Sequence, residues 1–551
     1  MKNILLFLMA FSHAYVIIRC RINSNRPVMR IGGENILHSK SKQTAPRPLH
    51  IDKIVFILVF CAEFAYGIYL GNFKHVLLGD AVSRTANAFY VLFCKPYRFT
   101  SMGLVWNPLP SVLQLPFVAL AHLWRPIVTK GIGAAAVTAL FAAWQGKTLL
   151  RTFEKLKVER LPALLITLLF CFNPYVFFYG ANGMTEIIAS AFTVQAVCAL
   201  SLWMRTGYAS YLLSLGMGCV GMFLTRYEAI PFALMLCFGM LLHMLSSPIE
   251  KEYYPAGNRK ETLLYTEGTM WVTFLPLIYT VLVWIIFNWA ITGNPLYFLN
   301  SGYSMNAYSA YYTDYGGLPG AISYVWVRIW PFLFPIAGLL LIRFLSGTFL
   351  RIDTAVIVVV TLGLSAFQFF MIARGSSGGY VRYLCYPLML AVAWIPYQLS
   401  ALKKAARRTA VLILCVVMTL NGAYFAWAFE HSSLMREDTL YMVPAHTEQL
   451  AEYINTHLRD KKILMDSYLT YYAIMNVDDV DNLVISCTPE FAQAVADPVG
   501  HNIDYVIVPQ IGSYGNMDAL NIAYPNLYWH GADWCQELTS IEGYKIFKVL
   551  K

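Results

Sequence analysis

Apolar residues run in blocks close to the length of a bilayer crossing, separated by short polar connections. Blocks at roughly 53–71, 131–146, 161–179, 187–204, 209–225, 229–246, 270–292, 322–343, 353–373, 383–400 and 409–428 predict eleven transmembrane helices. A further apolar stretch, 3–19, follows Lys2. It has the length of a signal-peptide core or a short anchor, with no clear small-residue cleavage site, and its status stays open. Residues 20–52 are polar and basic without periodicity and read as a linker. After 430 the pattern changes. "KKILMDS", "NLVIS", "DYVIVPQ" and "YKIFKVL" predict short strands, and "HTEQLAEYINTHL" and "PEFAQAVAD" predict helices. That alternation predicts a small α/β domain. The chain divides into an N-terminal segment with a basic cytoplasmic linker (1–52), a transmembrane part (53–429) and a C-terminal domain (430–551).

Composition sharpens this picture. Of 551 residues, 58% are hydrophobic and 13% charged, against about 25% charged in a soluble domain. The formal charge of +10 points to topology and anionic lipid headgroups, not to nucleic acid. The connections 147–160 and 403–408 and the loop 247–268 are rich in Lys and Arg. Counting spans puts all three on one side, the cytoplasmic one by the positive-inside rule. The outer set is then 72–130, 180–186, 226–228, 293–321, 374–382 and everything after 428. The loop 293–321 has no Lys or Arg, as an outer loop should, whereas 72–130 carries six. An anionic ligand would explain that exception. The apolar stretch 110–124 cannot be a full span without inverting the rest, so it is expected to lie on or dip into the outer leaflet. The cysteines show no metal spacing; Cys487 and Cys535 fall in the polar C-terminal region, and their pairing stays open.

Between Glu63 and Glu154 the single carboxylate is Asp80, surrounded by Lys74, Arg84, Lys95, Arg98, Arg125 and Lys130. A helix over 80–93 sets Asp80, Arg84 and Asn87 on one face and Val82, Ala86, Phe89 and Phe93 on another, the pattern of an interfacial amphipathic helix. An exposed Asp–Arg pair is the plain alternative.

"LLGDAVSRTANAFYVLF…GLVWNPLPSVLQLP" resembles the first outer loop of the GT-C glycosyltransferases, in the bacterial branch grouped with protein O-mannosyltransferases and aminoarabinose transferases (family 39-like). "NPYVFFYGANGMTE", "TRYEAIP", "GNPLYFLNSGYS" and "YVRYLCYP" extend the resemblance over about 53–551. It implies the GT-C fold: a helical polytopic bundle of about eleven spans with juxtamembrane helices. It also implies a cell-envelope transferase that takes a sugar from a polyprenyl phosphate at the outer face, with Asp80 as catalytic base. Arg84, Lys95, Arg98 and Arg382 are then candidates for the donor phosphate. Asn87, Trp106, Glu186, Arg226, Glu228, Tyr297 and Tyr303 are candidates for the substrate cavity. A phosphate leaving group needs charge stabilisation more than protonation, so one carboxylate suffices where hydrolytic glycosidases use two.

Many relatives carry an acidic pair at the first site, and here Ala81 follows Asp80. No cofactor is certain; a divalent metal stays open, with His75 and Glu186 as one conceivable pair. The expected partners are the lipid-linked donor, membrane lipids and an unidentified glycan, lipid or protein acceptor. Two other classes remain: a transporter or flippase of lipid-linked sugars, and a polysaccharide polymerase or ligase using lipid-diphosphate donors. Against a transporter stand the outer-loop position of Asp80 and the lack of an obvious inverted repeat.

Overall fold

A computed structural model describes residues 50–246, 259–302, 304, 315–437, 442–443 and 447–550. The stretch 3–19, the linker up to 49, most of the loop 247–268, and Tyr303 with Tyr308, Tyr311 and Tyr312 lie outside those residues.

Every expected span coincides with a helix or a helix pair. In chain order the helices are α1 (Ile51–Phe73), the amphipathic helix α2 (Gly79–Phe93), which is no span, α3 (Ile132–Lys155), α4 (Arg160–Cys171), α5 (Pro174–Ala181), α6 (Thr185–Thr206), α7 (Ala209–Phe223) and α8 (Ala229–Ser246). Then follow α9 (Arg259–Thr292), α10 (Gly317–Ile329), α11 (Phe334–Leu345), α12 (Ile352–Ala373), α13 (Tyr386–Ser400) and α14 (Lys404–His431). Among the described residues six helices are long and apolar enough to cross a membrane, seven if α4 and α5 count as one span. With no water in the hydrocarbon to satisfy backbone groups, helices are what such segments can form. Helices α6 and α13 are buried on nearly every side at the centre of the bundle, α6 with Ser190, Thr193 and Ser201 among its buried residues. The protein is a multi-pass membrane protein.

The expected span 161–179 is broken. Helices α4 and α5 meet at 62°, where Pro174 has no N–H to continue the ladder. Asn173 caps α5 by accepting from Tyr175 N at 3.0 Å, and its amide donates to Asn421 Oδ1 at 2.9 Å. Asn421 in turn donates to the carbonyl of Pro331 at 2.7 Å, so the break is tied to α14 and to the turn before α11.

The two sets of connections gather at opposite ends. At one end Arg407 pairs with Glu159 and Arg151 with Asp52, both at 2.9 Å. At the other end lie α2, the turn before α6, the corner between α7 and α8, the turn before α13 and the C-terminal domain. The stretch 110–124 is no span: it makes the one-turn helices Leu109–Val112 and Leu115–Val118, and leaves Leu120, Leu123 and Trp124 exposed.

The C-terminal part is an α/β domain with a five-stranded sheet. Its strands are β1 (Ile463–Leu464), β2 (Leu483–Val484), β3 (Tyr505–Pro509), β4 (Cys535–Ile541) and β5 (Tyr544–Val549), in the order β2-β1-β3-β5-β4. β1 runs parallel to β2 and β3, while β5 is antiparallel to β3 and β4. Helices Thr447–His457 (α15) and Ser467–Asn476 (α16) cover one face. Strand β4 was not expected. It is a mostly exposed edge with a register shift between Glu537 and Thr539, so it lacks a hydrophobic alternation. Its signal was the turn: Glu542 and Gly543 take φ of 45° and 88°, the positive pair of a tight hairpin. Cys487 and Cys535, left open as a pair, lie on two different apolar clusters and are both free thiols.

Helix α2 departs from expectation in one respect. Its apolar face does not lie in lipid. Val82, Ala86 and Phe89 are buried in one core with Leu450, Ile454, Leu458 and Ile474 of the C-terminal domain, while Ala81 joins the core of the bundle. The amphipathic pattern was real, but protein covers it.

Candidate active site

Asp80 sits in the first turn of α2, where the helix macrodipole favours a carboxylate. The segment before it is fixed to the C-terminal part: Val443 N donates to Leu77 O at 2.7 Å, and Leu78 bridges Met442. From the short 3-10 turn Val381–Leu384, Arg382 Nη2 reaches Asp80 Oδ2 at 2.6 Å. Arg382 is buried, at 6% side-chain exposure, while Asp80 is 49% exposed.

The link "NGMTE" brings in the second acid. Gly183 takes φ +81°, and a Cβ there would stand 2.7 Å from that of Ala134, so glycine is required. Helix α6 then starts at Thr185 and buries Glu186 in its first turn. Glu186 Oε1 lies 3.5 Å from Arg382 Nε and accepts from Arg226 Nη1 at 2.9 Å. Arg226 Nη2 donates to Glu228 Oε1 at 2.8 Å, and its Nη1 also reaches Thr185 Oγ1 at 3.2 Å. Asp80, Arg382, Glu186, Arg226 and Glu228 thus form one chain of alternating charge drawn from four separate connections. Burial alone would raise Glu228, but the Arg226 guanidinium holds it below the usual carboxylate range. Tyr383 lies against both guanidiniums, 5.1 Å from Arg226 and 5.5 Å from Arg382.

Arg84, one turn along α2 from Asp80, is buried. It donates to the carbonyl of Asn107 at 2.7 Å and lies 4.2 Å from the ring of Trp106. Burial pulls its pKa down to about 10 against the pull of Asp80. The "WNPLP" stretch is therefore fastened to the helix that carries Asp80. Leu109 N also donates to Leu224 O at 2.9 Å, and Tyr227 donates to Val105 O at 3.0 Å. Phe298 stacks on Tyr227 at 4.9 Å, and its neighbour Tyr297 is half-buried against the bundle.

The structure does not bring Lys95 and Arg98 to Asp80. Both follow the far end of α2, which at 1.5 Å per residue is roughly 20 Å away. They bind the C-terminal domain instead, Lys95 to Asp481 at 2.6 Å and Arg98 to the Cys487 carbonyl at 2.9 Å. Asn87 is half-buried two turns along α2 from Asp80, and Tyr303 lies outside the described residues. Sequence reasoning missed Asn107, Tyr227 and Tyr383, although each stands inside a motif already singled out.

A divalent metal does not fit the acids present. Asp80, Glu186 and Glu228 are each bound by a guanidinium that a cation would have to displace. His75 does not reach Glu186; it lies edge-on to Tyr472 at 6.3 Å. Burial and the Lys130 ammonium hold it below its ordinary range. Among the described residues no group of three His, Cys, Asp or Glu could hold a metal ion.

No family model matches the chain. No curated protein matches it either. Solved structures do. ArnT from Cupriavidus metallidurans bound to undecaprenyl phosphate aligns at a TM-score of 0.51 and 11% identity, over 89% of this chain and 97% of ArnT. The apo form of the same ArnT aligns at 0.51 and 10%, over 90% and 98%. The oligosaccharyltransferase of Archaeoglobus fulgidus reaches 0.41 at 11%, over 84% of this chain and 69% of its own, too low to carry an argument. Shared along nearly the whole of both chains, the arrangement of helices and C-terminal domain is that of ArnT, and this protein has the GT-C fold.

Proposed function

We propose that this protein is an inverting membrane glycosyltransferase that moves a hexosyl unit from a polyprenyl phosphate to an acceptor hydroxyl at the outer face. One observation carries the reading. Of the three carboxylates in the charge chain, Asp80 is 49% exposed, while Glu186 and Glu228 are 3% and 15%. Asp80 is thus the carboxylate open to a substrate, and Arg382, buried beneath it, is a cation that an incoming phosphate meets at the same place. The donor's phosphate competes for Arg382 and frees the carboxylate. Asp80 then takes the acceptor proton as the acceptor oxygen attacks C1, and the C1–O bond to phosphate breaks with the electron pair leaving on the phosphate. Arg382 stabilises that leaving group. Glu186 and Arg226 hold Arg382 in place, and Arg84 with Trp106 holds the loop. That ArnT was solved with undecaprenyl phosphate supports a polyprenyl-phosphate donor.

The test is donor turnover in detergent. Purified protein with a polyprenyl-phosphate hexose and a cell-envelope extract as acceptor should release free polyprenyl phosphate. A transporter would release none, and a lipid-diphosphate enzyme would act only on diphosphate donors.

Sidedness is tested separately. In a cysteine-light variant, a thiol at Ser540, exposed on β4, should react with an impermeant maleimide in intact cells. A thiol at Ala405, exposed at the start of α14, should react only after lysis. The reverse labelling would place Asp80 on the cytoplasmic side and remove the outer-face donor.

A further inference from the structure

Cys94 ends α2 as its C-cap and is 3% exposed; Cys487 follows β2 of the C-terminal domain and is half-buried. The two thiols are neighbours across the interface between the loop that follows α1 and that domain, close enough to shift each other's titration. Both lie on the apolar cluster that joins the two parts. Their backbones are fastened on either side. Arg98 donates to the Cys487 carbonyl at 2.9 Å, and Lys95 pairs with Asp481 at 2.6 Å. The contact therefore joins two segments already held in register.

We propose that Cys94 and Cys487 are a redox-controlled staple, which a small-molecule disulfide or a dithiol oxidase closes into a bond locking the C-terminal domain onto the helix that carries Asp80. The compartment in which this operates rests on the outer-face reading above, since disulfides persist outside the cytoplasm.

The two thiols differ in a way that sets the order of events. The neighbouring Cys94 thiol draws Cys487 below the ordinary thiol range, against the effect of burial and with help from the Arg98 guanidinium. The Cys487 thiol, together with burial, pushes Cys94 up. Cys487, the more accessible thiol, is thus the first nucleophile. Its thiolate attacks one sulfur of the external disulfide, forming a mixed disulfide and expelling one thiolate. Cys94 then loses its proton and attacks the Cys487 sulfur, expelling the second. The two cysteines are oxidised by two electrons and the external disulfide is reduced to two thiols.

The full chain in detergent should be equilibrated with reduced and oxidised glutathione, blocked with N-ethylmaleimide, digested, and mapped by mass spectrometry without reductant. The expected result is a peptide holding Cys94 joined to one holding Cys487. It should disappear with dithiothreitol and in Cys94→Ser or Cys487→Ser, and survive in Cys535→Ser. Cys487 free or joined to another cysteine in excess glutathione disulfide would overturn the staple. A second readout is limited proteolysis: in the linked form, a released C-terminal fragment should stay attached on a non-reducing gel. Blocking thiols in intact cells separates the two readings. The pair oxidised in cells supports both. The pair linked in detergent but reduced in cells overturns the outer-face reading and leaves the pairing chemistry standing.

Discussion

Asp80→Asn is expected to lower turnover by about 10²-fold or more, the usual contribution of a general base, while donor binding is retained. Asparagine keeps the volume and can still accept from Arg382 through its amide oxygen, so the 2.6 Å contact has a replacement. What is lost is the basic oxygen and one negative charge beside the phosphate-binding cation. Binding of a polyprenyl-phosphate donor should therefore be unchanged or tighter, and the loss should fall on kcat. The comparison needs turnover and donor binding measured on the same preparations. A variant retaining more than about a tenth of the wild-type kcat would remove Asp80 from the role of base. A collapse of donor affinity at unchanged kcat would make it a binding group instead.

Arg226→Ala is expected to be the most destabilising single change in the site. The guanidinium is the shared partner of Glu186 and Glu228, which are nearly buried. Breaking a buried pair from one side costs about 3–5 kcal/mol, because the remaining charge is stranded. Here Glu228 is left stranded and Glu186 keeps only its 3.5 Å contact with Arg382, with Tyr383 and Thr185 also losing a contact. Thermal unfolding in detergent should shift strongly downward. Arg226→Lys should restore only part, since an ammonium cannot reproduce the fork that spans two carboxylates. Adding Glu228→Gln to Arg226→Ala should recover stability by removing one stranded charge. Identical melting of Arg226→Ala and wild type would show that the charge chain does not hold the corner between α7 and α8.

The helices were legible because bilayer-length apolar runs and basic connections leave few alternatives, and Asp80 stood out as a lone acid among cations. Its partner did not. Arg382 lies 302 residues away, and no local pattern connects the two. Lys95 and Arg98 looked suitable because they are near Asp80 in sequence. A 15-residue helix separates them from it in space. The amphipathic face of α2 was read correctly as a face needing cover, but hydrophobic spacing does not distinguish lipid from protein. The same limit hid Cys94, which reads as one more apolar residue until the C-terminal domain sets Cys487 beside it.

The core shared by α2 and the C-terminal domain bears on how the protein is made. The helix bearing Asp80 leaves the ribosome early, whereas Leu450, Ile454 and Ile474, which complete its core, come near the end of the chain. At about 5–20 residues per second, the delay is on the order of a minute. Throughout that interval Val82, Ala86 and Phe89 have the nearby half of that core, Val118, Ala121, Ile127 and Val128, while the side that the domain closes stays open. A chain interrupted before the last hundred or so residues would insert all its spans yet leave this helix covered on one side alone. Completion of synthesis is thus a checkpoint on assembly of the site, and nascent chains stalled at different lengths should show protection of α2 from protease becoming complete only with the domain.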